Sequence, residues 1–134
     1  MEWILVAAVL VAGSLGALTD WLFMGVLFHD AYNRFPEVWW PREGNERRAI
    51  IWSSALGYVM SAGVVALCTA AGVRGIGGGL IVAALAWTAG PLVVVVVNGF
   101  FIKIDARITI AHCLGWLARM AIAGAAAGVV LARV

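Results

Sequence analysis

Leu80-Ile-Val-Ala-Ala-Leu-Ala-Trp-Thr-Ala-Gly-Pro-Leu-Val-Val-Val-Val-Val-Asn-Gly-Phe-Phe-Ile102 is the stretch whose reading decides the fold. It runs for 23 residues without a charged side chain. A helix needs about 20 mostly apolar residues to span a bilayer. Five consecutive valines, Val93 to Val97, would favour a strand in water. In lipid every backbone N–H and C=O must be satisfied within the segment, so the run becomes helix. A membrane β-barrel would show stretches of about ten residues that alternate polar and apolar, and no such alternation occurs.

Three further segments read the same way, over residues 3–28, 49–71 and 108–132. The composition agrees: 64% of the 134 residues are hydrophobic and 12% charged, with a mean hydropathy of +1.02. A soluble domain carries about 45–50% apolar and about 25% charged residues. These features predict an all-α protein, a single four-helix antiparallel transmembrane bundle over residues 1–134. Short connections make successive helices neighbours. The first segment opens Met1-Glu2-Trp3 without a basic region, and its apolar run exceeds that of a signal peptide, so it reads as a span.

Residues 29–48 form the one sizeable polar connection. It is amphipathic, broken by Pro36 and Pro41, and Trp39-Trp40 suits the headgroup boundary. It is expected to lie along the membrane surface. Residues 72–79, with Arg74, Gly75, Gly77, Gly78 and Gly79, read as a tight turn, and residues 103–107 as a brief one. Arg34, Arg42, Arg47, Arg48, Lys103 and Arg107 fall on the side of the first and third connections, against Arg74 and Arg133 on the other. Basic residues favour the cytoplasm. Those two connections of a multi-pass membrane protein are therefore expected to be cytoplasmic and both termini outside. A net charge of +2 is too weak to call for nucleic acid. Cys68 and Cys113 fall near opposite membrane faces, beyond the ~7 Å Cα reach of a disulfide.

Two ionisable residues sit within spans. Asp20 lies nine residues before His29, and Arg119 twelve after Arg107. At 1.5 Å per residue both lie roughly 13–18 Å deep. A lone charge there costs about 2.5–3.5 kcal/mol, which facing each other would largely offset. An Asp20–Arg119 ion pair is therefore expected, either lining an ion or ligand path or latching the first helix to the last. His112 shares the Arg119 face, with Gly115 and Trp116 between them. His29 closes the first helix on the same membrane side. Two histidines without ligand spacing do not define a haem or metal site, and no cofactor or metal is expected. Asn98 near the end of the third helix joins Asp20, His112 and Arg119 as a candidate for a polar interior.

Gly124 and Gly128 form a Gly-x-x-x-Gly step that permits close helix contact. Nine residues separate Arg119 from Gly128, about 900°, which puts them on opposite faces. That step suits either an oligomer seam or packing within the bundle. Ser54, Gly57, Tyr58, Ser61 and Cys68 make a small and polar stripe on the second helix, Gly13, Gly16 and Ala17 lead to Asp20 on the first, and Pro91 marks a kink in the third. No hydrolase elbow, metalloprotease helix, Cys-x-x-Cys pair or phosphate loop is present, so no enzyme is expected.

Two stretches carry a family likeness: Gly16-Ala-Leu-Thr-Asp-Trp21 through Leu27-Phe28, and Pro91 through Asn98-Gly-Phe-Phe101 with Ile110-Ala-His-Cys-Leu-Gly-Trp-Leu117 and Ala121-Ile-Ala-Gly124. Together they resemble DUF1761, small bacterial four-helix membrane proteins of unknown function. The chain has Trp21-Leu-Phe-Met-Gly25 where the family pattern runs tryptophan-tyrosine-glycine-proline. The resemblance implies the fold and a bacterial inner (plasma) membrane, and leaves the chemistry open. Three functional classes follow. One is binding or passage of a small solute or ion at the bundle interior or a protomer interface. The second is a non-catalytic accessory or structural subunit of a membrane complex; the bundle itself is expected to self-associate or to have a membrane-protein partner in the lipid bilayer. A redox protein comes third. The charge asymmetry makes one direct prediction: a C-terminal reporter active only in the cytoplasm will be silent, and activity there would reverse the sidedness.

Overall fold

The computed structural model describes residues 2–39 and 44–133. Trp40, Pro41 and Arg42, which entered the surface-segment and charge arguments, lie outside the described residues. The described chain is all-α, without strands. Among the described residues four helices are long and apolar enough to cross a membrane: α1 Glu2–Leu27, α2 Glu46–Ala70, α3 Gly75–Phe101 and α4 Ala106–Leu131. The most deeply buried is α4, which packs against the other three. The outermost is α3, whose main support is α4.

Two helices change pitch. In α1 the α-helical turns end at Asp20, and Trp21–Leu27 is π-helical. In α3 the π segment is Thr88–Leu92. Pro91 has no N–H to donate and its ring crowds the preceding turn. The wider turn accommodates it where the sequence implies a kink.

Residues 72–79 are not one tight turn. Gly72 and Gly75 take positive φ, 62° and 84°, and redirect the chain. The helix then begins at Gly75 and takes in Gly77, Gly78 and Gly79. The reason lies across the interface. A Cβ on Gly79 would overlap the Gly124 carbonyl, and one on Gly124 would come within 2.9 Å of the Ala83 Cβ. A Cβ on Gly128 would meet the Ile76 Cα at 2.8 Å. Glycines on both helices let the backbones touch. The Gly124–Gly128 step is therefore filled by α3 of the same chain and does not offer an oligomer seam. Gly99 follows the same interface against Thr109, and the Trp87 Nε1–H donates to the Cys113 carbonyl at 3.0 Å. Both cysteines are free.

The polar connection is shorter than residues 29–48. Glu46, Arg47 and Arg48 form the first turn of α2, and His29–Asn33 and Pro36–Val38 are 3-10 turns. This strap is tied to the α3–α4 connection. Arg34 pairs with Asp105 at 2.9 Å, and Lys103 with Glu37 at 3.1 Å. The Lys103 ammonium also lies 4.8 Å above the Phe35 ring. Asp105 caps α4, its Oδ1 accepting from the Arg107 N–H at 2.8 Å. That hydrogen bond, with Arg107 and Arg34 beside it, holds the Asp105 carboxyl below the usual carboxylate range.

The glycine interface generates a stability prediction. Gly124→Val should cost about 1–3 kcal/mol or more, as overpacking does. Gly63→Val enters open space and should stay within about 0.5 kcal/mol. Thermal unfolding in detergent compares them, and equal melting would deny the contact.

Candidate ligand cleft

The α1 face built from Gly13, Gly16, Ala17 and Asp20 repeats at helical spacing. It meets α4 at Arg119. Arg119 is only 6% exposed. Its Nη1 donates to Asp20 Oδ2, forming the expected ion pair. Two glycines make room for the guanidinium. A Cβ on Gly16 would lie 3.3 Å from Nε, and one on Gly57 of α2 would overlap Nη2. The Trp116 ring centre lies 5.5 Å from Cζ. Gly57 thus does more than ease helix packing, since it seats the guanidinium.

Asp20 satisfies only one end of the fork. Nε and Nη2 of Arg119 are buried with no hydrogen-bond partner among the described residues. They carry three of the five guanidinium N–H groups. An unsatisfied buried donor costs about 1–3 kcal/mol, more when charged.

Arg119 lines a cleft of about 440 Å³, together with Asp20, Trp21, Ser54, His112 and Trp116. A second hollow of about 570 Å³ adjoins it, sharing Trp21, Met24, Gly25 and Ile50 and reaching His29 and Tyr32. Tyr32 links the two. Its hydroxyl lies 2.6 Å from Met24 Sδ and 3.0 Å from His112 Nε2. Burial, and then the Asp20 charge, push the Tyr32 phenol up to about 12, so it stays protonated. With one proton to give, it donates to one of these neighbours at a time.

Three of the four polar candidates come together: Asp20, His112 and Arg119. Asn98 does not. It is exposed on α3 and lines neither hollow. The next residue, Gly99, makes the contact with α4, and one residue is about 100° of helix. The two histidines do not form a ligand pair, because Tyr32 takes the His112 nitrogen while His29 is exposed in the outer hollow. Among the described residues no group of three His, Cys, Asp or Glu could hold a metal. Tyr32 is the site residue that sequence reasoning missed. It sits in a polar connection where nothing in the spacing points inward.

A family model described as a protein of unknown function, DUF1761, matches residues 7–128. The chain belongs to the DUF1761 family. No curated protein and no solved structure matches it. The DUF1761 match takes in every residue lining the cleft, from Ala17 to Arg119.

For this DUF1761 chain a double-mutant cycle tests the pair. Asp20→Asn and Arg119→Gln should each cost about 3 kcal/mol, as breaking a buried pair does. Their combination should cost clearly less than the sum, by about 0.5–3 kcal/mol. Unfolding in mixed detergent measures this, and strict additivity would remove the interaction.

Proposed function

We propose that this DUF1761 protein is a multi-pass protein of a bacterial inner membrane that binds a small solute or ion in the Arg119 cleft, for retention or passage and not for catalysis. One observation carries the reading: a buried guanidinium lines the cleft with Nε and Nη2 unpartnered. Buried polar groups are satisfied as a rule, and ionisable groups within a span are functional candidates by default. An acceptor oxygen on a ligand would complete the fork. The described basic residues support cytoplasmic placement of the strap end, where Arg34, Arg47, Arg48, Lys103 and Arg107 gather, and an external placement of both termini.

A second reading is an accessory subunit. Its support is the outer face of α3, where Val93, Val94, Val97, Phe100 and Phe101 are exposed. Another copy of the chain, a different membrane protein or lipid would cover that face. Native mass spectrometry of gently solubilised protein separates the readings. The ligand reading predicts mass beyond a multiple of 14.1 kDa, lost when Ser54→Leu fills the cleft. A bare monomer would turn the assignment to the accessory role.

A further inference from the structure

Charge restricts what the cleft can take. Asp20 and Arg119 are paired, so their charges cancel. An anion would leave a net negative charge beside Asp20, and a cation would face Arg119. Neither is favoured where water is scarce. What Arg119 still has to offer is directional: donors on Nε and Nη2 that are buried without a partner beside Gly16 and Gly57, in a side chain that lines the cleft. An uncharged oxygen acceptor meets both conditions.

The walls supply the second restriction. Trp21, Met24, Ile50 and Trp116 make most of the lining apolar. Trp21 of α1 is 65% exposed and Ile50 of α2 is 57% exposed. Their positions mark the mouth. Trp21 is six residues from the end of α1, and Ile50 four residues into α2. In a bilayer such a mouth opens sideways, between one and two turns below the strap.

We propose that the cleft binds an uncharged amphipathic lipid, its carbonyl oxygen accepting from Arg119 and its chain leaving between α1 and α2 past Trp21 and Ile50. This rests on the ligand reading above and specifies the ligand class. On the strap side the cleft adjoins the hollow that reaches Tyr32 and His29, and the chain is assigned the lateral mouth because its apolar walls lead there.

The test uses purified full-length protein in mild detergent and native mass spectrometry. The probes are dioleoylglycerol, an uncharged ester, oleate, an anion with the same chain, and triacetin, an uncharged ester without one. Wild type should retain dioleoylglycerol. Retention should fall about tenfold or more in Arg119→Gln, as loss of a hydrogen bond to a charged group implies, and equally in Ser54→Leu. If Arg119→Gln does not fold, Ser54→Leu carries the comparison, because it leaves the ion pair intact. Oleate retained in preference, and lost in the variants, would overturn the uncharged class while keeping the cleft as a ligand site. Equal retention of every probe by wild type and both variants would overturn both. Displacement of dioleoylglycerol by an equal concentration of triacetin would overturn the role of the chain.

Discussion

A guanidinium inside an apolar bundle has to be enclosed by several elements at once, and that constraint organises this molecule. Arg119 reaches from α4 to Asp20 on α1 and lies against Gly16 of α1 and Gly57 of α2. Three helices must therefore converge at one level. A side chain at Gly57 would push α2 outward, and loss of Asp20 would strand a charge that costs several kcal/mol in lipid. The central position of α4 follows, because it is the helix that carries the arginine.

The opposite face of α4 does a separate job. Gly124 and Gly128 bring α3 to backbone contact, about 180° around the helix from Arg119. One face is specified by charge and hydrogen bonding, the other by the absence of side chains. Lipid tails give helices little hydrophobic reason to associate with each other, so both devices act through close packing and polar contacts. Between them they fix α1, α2 and α3 around one axis, while the strap joins the first and third connections through Arg34, Glu37, Lys103 and Asp105.

Four spans were legible because membrane helices are read by length and apolarity. The ion pair was legible because depth follows from residue count, and two opposite charges at equal depth have little alternative to pairing. What failed depended on rotation. Asn98 and Gly99 differ by about 100°, and nothing in the valine run before them shows which one faces α4. Gly75 to Gly79 looked like a turn because glycine has two uses, positive φ and close approach. Gly75 takes the first and Gly79 the second. Tyr32 was hidden by its place in a polar connection, since a loop has no period from which to infer direction.

The incomplete satisfaction of Arg119 bears on why the pair is there at all. Replacing a buried ion pair by apolar residues is often neutral or stabilising, so stability alone is a weak reason to keep one in lipid. A latch would be best built with both partners well engaged, as at the head of α4, where both Asp105 oxygens accept, from a backbone N–H and two arginines. Arg119 is built differently. Asp20 binds one arm of the fork, two glycines clear space for the rest, and the remaining nitrogens stay buried without partners in a side chain that lines a cleft. The π turn that begins directly after Asp20 belongs to the same construction. It re-aims the last turns of α1 so that Trp21 stands outward at the mouth while Met24 meets Tyr32. Such π segments often sit at functional sites. A charge that is neutralised yet left short of hydrogen-bond partners is suited to receive an acceptor without gaining or losing net charge. On the reading proposed above, that property separates a receiving site from a brace.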